Sequence, residues 1–354
     1  MISAFMTSER SRELAFVGFL ALVPVLLLLL VEVAIRLGVD DGLLRDTEGD
    51  HWDFWLEVGV AEPAITTFRM RPDTVYGHVS INSIGFRGPE LQNPKPPGRV
   101  RVAVLGTSTV LGLALEQDQT LPALIVERLS DQNRTCTFDY VSVSGPRYQQ
   151  TDLAWLLENV LADAAIDHVI ILDPGPNFRE RKQNAAIDLD QEANPALETQ
   201  DRSHSDPDEV LELVKKFRIY WKYWVPRNRL EPDRSDRFRN AMSDQEIASI
   251  IEAERVALDK IVRFSQDADI HHFHFHGLAR GDEHEADQRW KSETIETYSG
   301  DGFTVFPDVL KAVRPTRNYF YSRAHYNPKG ADLAAALITN RILDAFPEPG
   351  SICE

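Results

Sequence analysis

Cysteine is nearly absent: Cys136 and Cys353 are the only two in 354 residues. Two are too few for a disulfide framework or a thiolate zinc site, and with Cys353 in a frayed tail the expectation is two free thiols. An oxidising compartment would allow one pair to form. Basic residues are also scarce, 38 Lys and Arg against 55 Asp and Glu, giving a formal net charge of −17. Such a surface repels phosphate backbones and argues against nucleic acid as a partner. It repels anionic headgroups as well, so attachment to a bilayer needs an apolar device. No Gly-x-Gly-x-x-Gly turn or Walker loop follows the first strand signal, which argues against a flavodoxin-like cofactor protein. No internal repeat is evident. What is present is ordinary: 43% hydrophobic and 26% charged residues, the composition of a folded protein with a full core.

The apolar device lies near the N-terminus. Ala15 to Val31 carries no charge, and after Glu32 the apolar character continues through Val33, Ala34 and Ile35. From Ala15 to Ile35, 21 residues at about 1.5 Å each reach about 31 Å, the thickness of a bilayer core. Gly18 and Pro24 are tolerable in a lipid-embedded helix, and Arg36 can snorkel from its far end. A cleaved signal peptide fits less well, because cutting after Ala34 would put Glu32 where a small residue is needed. The expectation is an uncleaved transmembrane anchor at 15–37 behind a short flank, 1–14. Arg10 and Arg12 before it and Arg36 and Arg45 after it barely discriminate orientation. The simpler topology keeps the short N-terminus inside and the long acidic part outside.

An ordered lead-in, 38–99, follows, rich in aromatics, Pro and Gly and closed by Pro94-Lys95-Pro96-Pro97-Gly98. From residue 100 to 348 strand and helix signals alternate, with a polar insertion at about 178–240 and a tail at 349–354. Strands are predicted at 101–105, 138–143, 168–172, 270–275 and 303–306. Leu153, Leu156, Leu157, Val160 and Leu161 share one helical face. Ser243 and Glu246 make a capping box for a second helix, and Asn327 with Pro328 starts a last one running to about Phe346. Inside the insertion, Phe217, Tyr220, Trp221 and Trp224 lie near the end of a helix, and packing is favoured over stacking on sugar rings or resting on lipid as their role. This alternation predicts an α/β fold with a doubly wound parallel sheet.

Sites in such sheets form beyond the carboxyl ends of the strands. Reading there gives Gly106-Thr107-Ser108, then Ser144-Gly145-Pro146, then Gly175-Pro176-Asn177, with His325 two residues before the last helix cap. A serine, a histidine, an asparagine and small-residue turns on one rim can build a nucleophile, a general base and an oxyanion pocket. Arg147 and Arg179, near the same rim, are as readily ordinary surface residues as anchors for an anionic substrate. In His271-His272-Phe273-His274-Phe275-His276, alternate imidazoles share a face. Their spacing of about 7 Å is awkward for one metal ion, so a structural role is preferred, no metal or cofactor is expected, and only His276 is a candidate for touching substrate.

The blocks on this rim resemble the SGNH/GDSL hydrolase superfamily, which has a flavodoxin-like fold. Val104-Leu105-Gly106-Thr107-Ser108 is similar to the first block. Ser142-Val143-Ser144-Gly145-Pro146-Arg147-Tyr148 is similar to Asn-x-Gly-x-x-Gly-Tyr, with Ser142, Ser144 and Arg147 replacing Asn and both glycines. Gly175-Pro176-Asn177 is similar to Gly-x-Asn-Asp, with Phe178 for the Asp. His325-Tyr326-Asn327-Pro328-Lys329-Gly330 is similar to the stretch around the family histidine. Ile81 to Glu90 also resembles the lead-in of membrane-anchored members.

The resemblance implies Ser108 as nucleophile and His325 as base. It implies an oxyanion site from the Ser108 N–H, the Ser144 or Gly145 N–H and the Asn177 side chain. The family's acid, three residues before the histidine, is Ser322 here. A backbone carbonyl, the Ser322 hydroxyl, or Asp173 or Asp308 would have to orient the ring, or a dyad suffices. It implies a serine esterase or O-acyltransferase, acetyl being one candidate group, acting on a cell-envelope carbohydrate. The implied setting is a bacterial inner membrane with the C-terminal domain facing the periplasm or exterior. The rival is a catalytically silent binding or assembly subunit of a polysaccharide system with the same fold.

Overall fold

The computed structural model describes residues 22–27, 29, 30, 33, 54, 57–65, 68–173, 243–276, 285–298, 302–313, 318–321, 325–346, 348 and 350–353. The chain divides into two compact units, 1–43 with 201–231, and 44–200 with 232–354. In the first unit the described residues between 22 and 33 are helical, and Leu22, Val25, Leu26, Leu27, Leu29, Leu30 and Val33 are 48–66% exposed. Among the described residues no helix is long and apolar enough to cross a membrane. The expected span 15–37 and the insertion at 178–240 lie largely outside the described residues.

The second unit opens with two short antiparallel ribbons. β1 (Gly59–Val60) pairs with β2 (Arg69–Met70), and β3 (Val75–Tyr76) pairs with β4 (Val79–Ser80). Phe54, Val58, Met70, Val79 and Ile81 fold against Leu111 as a small separate core. The described residues of the lead-in thus rest on the α/β fold at Leu111.

Five parallel strands follow: β5 (Arg99–Gly106), β6 (Thr137–Ser144), β7 (His168–Asp173), β8 (His271–His276) and β9 (Phe303–Phe306). Their order across the sheet is β6-β5-β7-β8-β9, the doubly wound order in which the chain first steps to one side of β5 and then to the other. Val100, Val102, Ala103, Val104 and Leu105 are at most 4% exposed, so successive side chains on opposite faces are both covered. That double burial is why the strand reads as an unbroken apolar run.

The helices are α1 (Ser108–Leu111), α2 (Leu121–Gln132), α3 (Gln150–Asn159), α4 (Asp244–Asp267), α5 (Glu285–Tyr298) and α6 (Pro328–Ala345). Leu153, Leu156 and Leu157 of α3, with Ile250, Leu258 and Ile261 of α4, join Ala103, Leu105, Val141, Val143, Val169 and Ile171 in one core. α2 packs against α6. Both predicted capping devices form. Ser243 and Glu246 bond reciprocally at the start of α4, and Asn327 Oδ1 accepts from the Gly330 N–H at 2.9 Å.

Two expectations need correction. Cys136 and Cys353 are not free thiols but a disulfide spanning 217 residues. The residues around Cys353 do not fray: Ser351–Cys353 form a turn, Ile352 is buried, and its carbonyl accepts from His168 Nε2 at 2.9 Å. Thr135 and Cys136 precede the start of β6, so the tail is fastened to the amino-terminal edge of the sheet, away from the rim of Ser108. Opening the bridge with Cys353→Ser should cost about 2–5 kcal/mol of unfolding free energy, measured by urea denaturation with wild-type protein in reductant as the matching control.

Burial holds the His168 imidazole down to a pKa of about 4, although its bond to the Ile352 carbonyl opposes the shift. Burial also pushes His272 well below the ordinary imidazole range, with the neighbouring His274 adding to the effect. Unfolded imidazoles take up protons near pH 6.5, so the stability these groups contribute is complete above that pH and lost as pH falls from 6.5 towards 4. Each steepens the loss by about 1.4 kcal/mol per pH unit. In His168→Asn the dependence of unfolding free energy on pH between 6.5 and 4 should flatten by about that slope; an unchanged slope would refute the assignment.

Candidate active site

Gly106 and Ser144 are register partners at the carboxyl ends of β5 and β6. The turn bearing Ser108 and the turn bearing Gly145 therefore leave the sheet side by side. Thr107, in extended conformation, is the N-cap of α1, and Ser108 is its first residue. The Val110 and Leu111 N–H groups donate to the Thr107 carbonyl at 3.0 Å, whereas the first N–H of a helix, here that of Ser108, has no intrahelical acceptor.

His325 reaches the same place from the far end of the chain. Its carbonyl accepts from the Tyr321 N–H at 3.0 Å, and the Asn327 N–H donates to Tyr319 O at 3.0 Å, so residues 319–321 and 325–327 run as a short antiparallel pair. Gly330 makes this possible, since a Cβ there would collide with the Tyr319 carbonyl. The result is a hydrogen bond of 3.0 Å between His325 Nε2 and Ser108 Oγ, both residues half-buried. A hydroxyl at this distance from an imidazole nitrogen is within reach for proton transfer.

Ser142 and Ser144 are buried and share a hydrogen bond of 2.7 Å between their hydroxyls. Ser144 therefore turns its side chain into the strand edge, leaving only its main chain for an oxyanion. Gly145 lies against the face of Tyr148, where a Cβ would penetrate the ring, and Tyr148 Oη donates to the Phe68 carbonyl at 2.9 Å. Arg147 is exposed with φ of 65°, the left-handed conformation that suits the glycine of the family pattern. A non-glycine residue held there marks strain at the rim.

The remaining expectations divide. Asn177, Arg179 and Ser322 lie outside the described residues. Asp173 ends β7, and Asp308 forms a solvent-facing ion pair of 2.9 Å with Lys291. His276 is the register partner of Asp173 at the carboxyl end of β8, but it is only 4% exposed and packs on His274 with ring centroids 4.5 Å apart. His272 and His274 stack at 6.2 Å, inside the core. Among the described residues no group of three His, Cys, Asp or Glu is placed to hold a metal ion.

Two contributors carried no role in the sequence reading, and both come from the Ile81–Glu90 block. Asn82 Oδ1 accepts from the Phe86 N–H at 2.9 Å while its Nδ2 donates to Pro89 O, closing the loop on itself. Arg87 is 1% exposed and reaches under Ser108's helix. The resemblance of that block was the available signal.

No protein-family model matches the chain, and no curated protein matches it in sequence. Among solved structures it has partial likeness to the lipase Lip_vut3 from a goat rumen metagenome, at 9% identity and TM-score 0.43, over 72% of this chain and 99% of that one. The psychrotrophic esterase EstA from Pseudoalteromonas sp. gives 11% and 0.39, over 70% and 99%. TesA gives 13% and 0.40, over 69% and 99%. Likenesses this distant assign no chemistry to this chain.

The packing of Gly145 against Tyr148 fixes the Ser144–Gly145 turn. Gly145→Ala should lower unfolding free energy by about 1–3 kcal/mol through overpacking, read as a shifted urea midpoint. An unchanged midpoint would mean that the ring is not fixed where the structure has it.

Proposed function

We propose that the chain is a serine esterase or O-acyltransferase of SGNH/GDSL type, held at a membrane by its N-terminal helix. The observation that carries this reading is the 3.0 Å bond between Ser108 Oγ and His325 Nε2 on the carboxyl rim of a parallel sheet. His325 Nε2 takes the Ser108 proton as Oγ attacks the acyl carbonyl, and the oxyanion that forms faces the N–H groups of Ser108 and of the Ser144–Gly145 turn. Collapse releases the alcohol, protonated by His325, and leaves an acyl-Ser108 ester. Water then completes hydrolysis, or a second hydroxyl completes transfer.

A cell-envelope carbohydrate as acceptor rests on the likeness of Ile81–Glu90 to anchored family members alone. The apolar stretch Ala15–Ile35 supports the anchor, as do the half-exposed leucines between residues 22 and 30. The Cys136–Cys353 bridge supports an outward-facing domain, since structural disulfides persist in oxidising compartments. The rival, a catalytically silent binding or assembly subunit with the same fold, draws on Ser322 in the place of the family's acid, on the substituted Ser142–Tyr148 block and on Phe178.

The full chain, purified in detergent, should label with a fluorophosphonate probe and turn over a member of a panel of acyl esters. Ser108→Ala should abolish labelling, and His325→Ala should lower kcat at least about 10³-fold. Labelling that persists in Ser108→Ala refutes the nucleophile. An unreactive wild type favours the binding-subunit rival.

A further inference from the structure

Arg87 is a buried charge that the acyl-transfer steps do not use. It is 1% exposed, and its guanidinium stays charged at any physiological pH. Nη1 donates to the carbonyls of Leu111 at 2.8 Å and Gly112 at 2.5 Å, Nη2 to that of Leu115 at 2.6 Å, and Nε to Gln117 Oε1 at 3.2 Å. Gln117 Nε2 in turn donates to Tyr140 Oη at 2.7 Å.

Leu111 is the last residue of α1 and Gly112 its C-cap, in left-handed conformation at φ of 63°. Four residues cannot hold a helix alone, and the last carbonyls of a helix lack intrahelical donors. The Arg87 fork supplies a donor to the Leu111 carbonyl, adds a second to the Gly112 carbonyl beside the Leu115 N–H, and sets a positive charge at the negative end of the turn. Its main chain meanwhile bridges to Ser142, two residues before Ser144. One residue of the lead-in thereby fastens the turn that carries Ser108 and touches the strand that ends in the oxyanion turn.

We propose that Arg87 is a positioning residue for Ser108: its guanidinium locks the α1 turn so that Oγ meets His325 Nε2. The proposal rests on the serine-esterase reading. A packing role alone would be met by methionine, a side chain of similar length without charge or donors.

The full-length chain in detergent tests it by the rate of Ser108 labelling with a fluorophosphonate, by kcat and KM on the same ester, and by thermal melting. Arg87→Met should lower kcat and the labelling rate about 10²-fold with KM changed less than about threefold, as expected for a misplaced nucleophile. Arg87→Lys, which keeps the charge but not the planar fork, should fall between that and wild type. Arg87→Ala should recover at least about tenfold in tens of millimolar methylguanidinium, a rescue that lost packing would not give. Should Arg87→Met fail to fold, Gln117→Leu decides: losing the Nε acceptor, together with the donor to Tyr140, should slow labelling about three- to tenfold. A folded Arg87→Met, or in its absence Gln117→Leu, that labels at the wild-type rate overturns the proposal while leaving the esterase reading intact. A wild type that never labels removes both.

Discussion

The register of β5 between β6 and β7 is the constraint on which the rest of the molecule hangs. β5 is buried on both faces, and its parallel ladders set Gly106 beside Ser144 and Leu105 beside Ile171. Slipping β5 by one residue would exchange the side chains of its two faces and carry Ser108 about 3.3 Å along the strand, away from Gly145. The core and the reactive rim are therefore fixed by the same hydrogen bonds. Neither can be altered without the other, and it is on this rim that Ser108 meets His325.

The five strands were legible because double burial demands continuous β-branched and aromatic runs, and the structure moves their ends by at most two residues. Ser108 and His325 were legible for a different reason, their places directly after a strand and directly before a capped helix. The α5 helix was not. Its buried positions are Trp290, Thr294 and Tyr298, so a threonine interrupts the apolar stripe among charged neighbours. The disulfide was missed because nothing local brings Cys136 and Cys353 together; the sheet edge and the seat of Ile352 beside His168 do so. Arg87 escaped notice because its partners are mostly main-chain carbonyls, which leave no complementary residue in the sequence.

Among the described residues, the departures from the pattern this chain resembles fall where side chains can be absorbed. Ser142 and Ser144 satisfy each other inside the sheet edge, and Arg147 accepts the left-handed backbone with its side chain in solvent. Gly145 and Gly330, by contrast, sit where a Cβ would strike a ring or a carbonyl. For the proposed acyl transfer such side-chain changes are tolerable, because the donors that would face an oxyanion in such a turn belong to the main chain.

The bridge between Cys136 and Cys353 also bears on the order of events during synthesis. Cys136 is made just before β6, whereas Cys353 follows every strand and the last helix. By the time the second thiol leaves the ribosome, the whole sheet has been available to assemble. The covalent link closes on an architecture already chosen by its hydrophobic register, as a latch rather than a guide. An oxidant that arrives late would leave the fold formed but unfastened.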